Sequence, residues 1–347
     1  MKYKKLLVTG GCGFIGANFI RYLLEEVKYE GTIINVDKLT YAGNPENLTN
    51  IAQKFAGQAG QYVFEKADIC DLSKMDSIIE THKVDAICHF AAESHVDRSI
   101  KSPDEFIQTN IIGSFNLLEL ARKYSDSVKI FHHVSTDEVY GSLGETGSFL
   151  ETTAYSPNSP YSASKASSDH LVRAYYKTFG VPVTISNCSN NYGPYQFPEK
   201  LIPLITLNAL EGKDLPVYGD GKQVRDWLFV NDHCKAIWLI MNNGRHGQTY
   251  NVGGNAEMEN ITIVETICDI LDELAPQSSV TARRALIKFV ADRPGHDRRY
   301  AIDFTKLKNE LGWQPTESFH SGIRKTVSWY LDNHAWVNGI KTGAYRD

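Results

Sequence analysis

Hydrophobic residues in this chain come in two patterns. Short unbroken apolar runs alternate with longer stretches where apolar residues return at helical spacing. Leu6–Thr9 is the first run, and after a turn of glycines Phe14, Ala17, Phe19, Ile20, Leu23, Leu24 and Val27 follow the helical period. Thr32–Val36, Tyr62–Phe64, Val84–Phe90, Ile130–Val134 and Val183–Ser186 read as further strands. Residues 73–82, 103–123 and 161–179 read as helices, the second opened by Ser102-Pro103. Strands alternating with helices predict an α/β fold, a parallel doubly wound sheet that binds ligands at the carboxyl ends of its strands.

Past residue 187 the alternation weakens. Leu201–Leu210, Val230–Met241, 261–273 and about 320–334 read as helices, the last of them amphipathic, and Thr249–Val252 as a strand. The expected division is a nucleotide-binding domain over 1–187, joined by a return of 226–252, and a smaller α/β substrate domain mainly over 188–347. A chain of 347 residues exceeds what one core usually serves, which favours two lobes.

Composition narrows the classes. With 42% hydrophobic and 22% charged residues the chain reads as an ordinary globular protein. Its formal net charge of −5 argues against nonspecific nucleic-acid binding. No apolar run approaches a membrane helix, and the short run after Met1-Lys2-Tyr3-Lys4-Lys5 is a strand rather than a signal peptide. Cys12, Cys70, Cys88, Cys188, Cys234 and Cys268 are dispersed, with no metal-like spacing. The expectation is a reduced, cytoplasmic protein without a metal.

The candidate chemistry begins in the first turn. Gly10, Gly13 and Gly16, or Gly11, Gly13 and Gly16, form a dinucleotide fingerprint between a strand and a helix that Phe14 and Ile15 open. Asp37 ends the second strand, 21 residues past Gly16 (37 − 16), where a carboxylate can hold both ribose hydroxyls and repel a 2′-phosphate. That selects NAD over NADP on a Rossmann-type sheet. Asp68 ends the third strand and can either meet the adenine or cap the helix that follows. Ala91 and Ala92 leave room for a cofactor against the backbone.

Ser135-Thr136-Asp137-Glu138-Val139-Tyr140 follows a buried run, at the cofactor edge of the expected sheet. Hydroxyls and paired acids there suit acid–base chemistry better than a simple cap. Tyr161 and Lys165 are four apart, hence on one helical face, and a cation beside a tyrosine lowers its pKa. Lys200, Arg225 and Arg293 stand in segments read as irregular, near aromatics and glycines, and suit a diphosphate.

The glycine turn, Asp37, Thr136, and Tyr161 with Lys165 together resemble the extended short-chain dehydrogenase/reductases acting on nucleotide sugars. Ala92–Ser99, Ser135–Gly141, Asn190–Gln196 and Arg293–Tyr300 narrow the resemblance to the dTDP-glucose 4,6-dehydratase family, from residue 5 to the C-terminus. The resemblance implies NAD held by Gly10, Gly13, Phe14, Ile15, Gly16, Asp37, Lys38, Asp68, Ile69, Ala91, Tyr161 and Lys165. It implies dTDP-glucose held by Ser94, Asn190, Lys200, Leu201, Pro216, Tyr218, Arg225, Asn260, Arg293 and His296, with Asn190 near the sugar phosphates and Arg225 on the diphosphate. It makes Tyr161, Lys165, Thr136, Asp137 and Glu138 catalytic: the first three oxidise C4, Glu138 takes the C5 proton and a protonated Asp137 serves the departing 6-hydroxyl. It also implies a homodimer through a helix bundle, with 103–123 and 161–179 as candidates. The rival readings are a 4-epimerase or another dehydratase of the same fold, and a non-catalytic NAD-binding protein. Epimerases lack the acid pair, and a non-catalytic protein has no need of that pair together with Tyr161 and Lys165.

Overall fold

The computed structural model describes residues 2–57, 60–276, 282–292 and 296–346. Seven parallel strands form the main sheet. They are β1 (Lys5–Thr9), β2 (Thr32–Asp37), β3 (Tyr62–Lys66), β4 (Ala86–His89), β5 (Phe131–Thr136), β6 (Val183–Cys188) and, from much later in the chain, Gln248–Val252. The order across the sheet, with that late strand beside β6, is β3-β2-β1-β4-β5-β6 and then Gln248–Val252. The order reverses between β1 and β4, and the crevice at such a switch point is where this architecture binds ligands.

Both faces of the sheet are covered, so its inner strands are buried, including polar residues such as His132, Thr184 and Ser186, while the edge strand β3 is partly exposed. Alternate side chains go to opposite sides. Leu6 and Val8 join Phe19, Ile20, Leu23, Cys234 and Ile237 on one side. Leu7, Ile34, Ile87 and Phe131 join Met75, Ile79, Leu117, Leu118 and Val172 on the other. The helix Val230–Asn243 thus packs on the first face beside Phe14–Arg21.

A separate core surrounds Tyr192, Ile205, Val217, Trp227, Ile263, Ile267, Ile323 and Val327. Around it lie β7 (Asn190–Tyr192), β8 (Leu215–Tyr218), β9 (Val224–Phe229), β11 (Glu257–Glu259) and β12 (Ile287–Val290), the strand Gln248–Val252 being β10. They form two small sheets, β11-β9-β7 and β12-β8.

Several expectations need correction. The helix expected over 103–123 is one continuous helical run, Pro103–Phe106, a wider-wound stretch Ile107–Gly113 and Ser114–Lys123, and a short helix Val96–Lys101 that was not expected precedes it. At Gly113 a Cβ would lie 2.4 Å from Cδ1 of Ile69, in the turn after β3. Strand β5 does not stop at Val134 but carries Ser135 and Thr136. Arg225 lies in β9 rather than in an irregular segment. The helix Phe319–Asp332 is followed by another, His334–Thr342, whose Trp336 donates to Asn47 Oδ1 at 2.8 Å.

Candidate active site

The glycine turn is fixed by close approach. Gly10 has φ +71°, and a Cβ there would sit 2.7 Å from the Ala91 backbone. A Cβ on Gly16 would sit 2.3 Å from the Gly10 carbonyl. Only glycine fits either position, and the amide ends of the helix Phe14–Arg21 are left facing the crevice. Asp37 Oδ2 accepts from Cys12 N at 2.9 Å and Oδ1 from Leu39 N at 2.8 Å, which locks the carboxylate beside the turn. Lys38 pairs with Asp68 at 2.6 Å. Asp68 does not cap the following helix. Asp71 does, accepting from Lys74 N at 3.0 Å, while Asp68 accepts from Cys70 N at 2.9 Å.

One groove of about 320 Å³ runs from this turn across the carboxyl ends of the strands. Gly10, Gly13, Phe14, Ile15, Gly16, Asp37, Lys38, Asp68, Ile69 and Ala91 line one part of it. Thr136, Asp137, Glu138, Tyr161 and Lys165 line another, together with Ser94, Asn190 and Lys200. Its length of small backbone contacts, its helix terminus and its ribose-reaching carboxylate fit a dinucleotide. Among the described residues no group of His, Cys, Asp or Glu could hold a metal ion.

The acid pair exists because the chain leaves strand geometry immediately after Thr136. Asp137–Tyr140 is a single tight turn, with Glu138 N donating to Thr136 Oγ1 at 3.3 Å. Gly141, at φ +89°, closes it where a Cβ would lie 2.4 Å from the Ser156 carbonyl. In a continued strand the two acids would diverge, whereas here both meet the groove. Asp137 is 1% exposed, and burial, followed by the charge of Glu138, pushes its carboxyl well above the usual range. Thr136 Oγ1 donates to Asp137 Oδ1 at 3.3 Å, while Oδ2 has no partner among the described residues. The neutral form of Asp137 is thereby favoured in its place beside Glu138.

The base pair stands on the helix Pro160–Phe179. Ser159 caps it, accepting from Ser162 N at 3.1 Å while Ser162 Oγ returns a bond, and Pro160 takes the first turn. Tyr161 and Lys165 therefore enter the groove from one face, and the Tyr161 hydroxyl meets Thr136. The expected lowering of the Tyr161 pKa by Lys165 is not found. Burial, then the Glu138 charge, pushes that hydroxyl well above its ordinary value. Lys165 Nζ instead donates to the Val134 carbonyl at 2.9 Å and lies 3.4 Å from His133 Nε2.

The remaining substrate positions lie elsewhere. Leu201, Pro216, Tyr218, Arg225, Asn260 and His296 do not line this groove, and Arg293 falls outside the described residues. His296 Nδ1 meets Asp292 Oδ1 at 2.6 Å, with its ring edge-on to Tyr218. Pro216 and Tyr218 stand on β8, and Asn260 opens the helix Asn260–Leu274. Lys200 donates to the Ser94 carbonyl at 3.1 Å, just before the helix that Leu201 opens. Arg225 is buried, lies over the Tyr300 ring at 4.2 Å, and donates to the carbonyls of Val224 and Asp297.

Several groove residues, Cys188 and Glu199 among them, were given no site role from the sequence. Cys188 ends strand β6, so its position at the carboxyl edge of the sheet was the available signal.

A doubly wound sheet, a glycine turn and a Tyr–Lys helix define an extended short-chain dehydrogenase/reductase. The GDP-mannose 4,6 dehydratase family model matches residues 7–326. A dTDP-glucose 4,6-dehydratase of Salmonella typhimurium is 55% identical, covering 99% of this chain and 97% of its own. The solved dTDP-glucose 4,6-dehydratase of Bacillus anthracis, in complex with NAD, is 47% identical with TM-score 0.86, over 97% of this chain and 99% of its own. That of Streptomyces venezuelae, DesIV, also with NAD, is 45% identical with TM-score 0.88, over 96% and 98%. The chain belongs to the dTDP-glucose 4,6-dehydratase family.

Proposed function

We propose that this enzyme is an NAD-dependent dTDP-glucose 4,6-dehydratase, a hydro-lyase that yields dTDP-4-keto-6-deoxyglucose. The observation that carries the reading is the unequal acid pair, a buried Asp137 with an unpartnered Oδ2 beside the part-exposed Glu138. A 4-epimerase needs no such pair.

NAD, held by the glycine turn and Asp37, supplies the acceptor for the C4 hydride and its return to C6. Tyr161 takes the proton of the sugar 4-hydroxyl, with Thr136 hydrogen-bonding at the same place. Lys165, one helical turn away, holds the cofactor ribose and is the cation available to the phenolate. A neutral Asp137 assists here too, since a second carboxylate charge would push the Tyr161 hydroxyl still higher. Once C4 is a ketone, the C5 proton is acidic and Glu138 removes it. Asp137 gives its proton to the departing 6-hydroxyl, water leaves, and as C6 is reduced Glu138 returns its proton to C5. Asn190, Lys200, Leu201, Pro216, Tyr218, Arg225, Asn260, Arg293 and His296, with Ser94, hold the nucleotide and diphosphate.

The test is direct. Purified protein incubated with dTDP-glucose is expected to give a 4-keto-6-deoxy product lighter by one water. Turnover of another nucleotide sugar but not this one sinks the substrate assignment.

The chain also pairs with a second copy through its helices in this reading. Ile107, Phe115 and Phe179 are each at least 40% exposed, and Phe115 and Phe179 flank Tyr175. A monomeric mass in sedimentation refutes this. Among the described residues no helix is long and apolar enough to cross a membrane, and the six cysteines are unbridged, which supports a cytoplasmic setting. Recovery in the membrane pellet on cell fractionation speaks against it.

A further inference from the structure

We infer that Asp169 is a positioning residue that keeps the base pair and the acid pair in register, fixing Lys165 through His133 and the end of β5 through Ser135. The inference rests on the function proposed above. Asp169 follows Lys165 by one turn on the same helix and is 2% exposed. Its Oδ2 accepts from Ser135 Oγ at 2.9 Å and from the Tyr155 hydroxyl at 2.9 Å. Its Oδ1 lies 3.2 Å from His133 Nε2, which in turn lies 3.4 Å from Lys165 Nζ. Ser135 directly precedes Thr136 and the acids. One carboxylate therefore touches the helix of Tyr161 and Lys165, the strand end that carries Asp137 and Glu138, and the loop after Gly141.

Burying a carboxylate is costly unless hydrogen bonds and a cation compensate. Here the hydrogen bonds come from two different elements, so holding the charge also holds those elements together. His133 is the hinge of the arrangement. It is fully buried, its pKa is far below the ordinary histidine value, and its Nδ1 has no partner among the described residues. A neutral imidazole carries one N–H. At Nε2 it either donates to Asp169 or accepts from Lys165, never both. The Lys165 ammonium reaches both the Val134 carbonyl and His133 Nε2, while Asp169 Oδ1, 3.2 Å from the same Nε2, has no hydrogen-bond partner among the described residues. Asp169 thus acts on Lys165 across the imidazole, through its charge.

Charge acts in the same sense. Asp169 favours the charged form of Lys165 against burial, which lowers its pKa. Asp169 itself is raised to about 6 by burial and so is ionised at neutral pH. The other groups facing this pair are His89 and His133 from β4 and β5, Cys188 from β6, Tyr155 from the loop, and His170 beside it. Without Asp169 the ammonium is lost at lower pH, and with it the cation that serves Tyr161.

The experiment compares wild type, Asp169→Asn and Tyr155→Phe in steady-state turnover from about pH 6 to pH 10. For Asp169→Asn, kcat is expected to fall ~10- to 100-fold, with KM within about twofold and the alkaline limb moved about one unit toward acid. Tyr155→Phe removes one of the hydrogen bonds that hold the Asp169 charge, so it is expected to move the acid limb toward higher pH and leave the alkaline limb in place. An alkaline limb superimposable on wild type in Asp169→Asn, or an acid limb unmoved in Tyr155→Phe, overturns the inference, even if kcat falls. So does a raised KM at unchanged kcat. If Asp169→Asn does not fold, Tyr155→Phe decides alone. The profile is read with whichever nucleotide sugar the wild type turns over, so failure of dTDP-glucose as substrate is a separate result.

Discussion

The two pairs of reactive groups at the floor of the groove are held in opposite ways. Tyr161 and Lys165 ride on twenty residues of capped helix, and their spacing is a property of that helix. Asp137 and Glu138 ride on a four-residue turn inserted where a strand ends. Lys165 has its neighbours supplied by Val134 and His133. Asp137 keeps one carboxyl oxygen without a partner among the described residues. Polar groups buried in a native structure are rarely left so. The difference separates a rigid platform, which any oxidation at a sugar carbinol could use, from a local addition that waits for a ligand group.

That comparison can be broken at each member. Tyr161→Phe removes the group that takes the 4-hydroxyl proton. Turnover is expected to fall at least about a thousandfold, with no reduced cofactor seen in the burst phase. Full activity in this variant removes Tyr161 from the mechanism. Glu138→Gln leaves the platform intact. Oxidation is expected to persist while elimination slows ~100-fold or more, so reduced cofactor builds up on the enzyme and shows in its absorbance. A variant that never reduces its cofactor puts Glu138 in the wrong step.

Asp137→Asn gives the smallest shift and a sign opposite to the usual one. A carboxyl raised in the native state binds a proton that the unfolded chain, at about 3.9, has already lost. Stability therefore falls as pH rises from about 4 toward the native value. Asparagine removes that loss, so at pH 7 the variant is expected to melt a few degrees above wild type while its turnover drops. The gain should vanish near pH 4, as thermal melts at the two pH values will show. A melting temperature below wild type at pH 7 contradicts the neutral, strained state assigned to Asp137.

The legible parts of this chain were those that one residue type decides. Gly10 and Gly16 had to be glycine for close approach, and the apolar runs of β1, β2 and β4 stand out because both faces of the sheet are covered. Helix Pro160–Phe179 was marked by its proline. Other features depended on contacts between distant residues. The wider-wound stretch Ile107–Gly113 lies where Gly113 packs against Ile69, which no periodicity reveals. Whether Asp68 or Asp71 capped the third helix turned on geometry that two nearby aspartates share in sequence. Lys165 was expected beside its tyrosine by spacing, but its ammonium answers to a carbonyl and an imidazole on β5. Asp169 was equally visible at one turn's distance and passed over, because its partners come from two distant segments, β5 and the loop after Gly141.

The turn Asp137–Tyr140 begins with a side chain that bonds its own backbone and ends at a glycine that no other residue could replace without collision. Val139 and Tyr140 of the same turn are buried, and the Tyr140 hydroxyl donates to Asn251 Oδ1 on β10 at 2.9 Å. The two acids are therefore carried on a turn pinned to the far strand of the sheet, so a change in its length is felt by the sheet as well as by the groove.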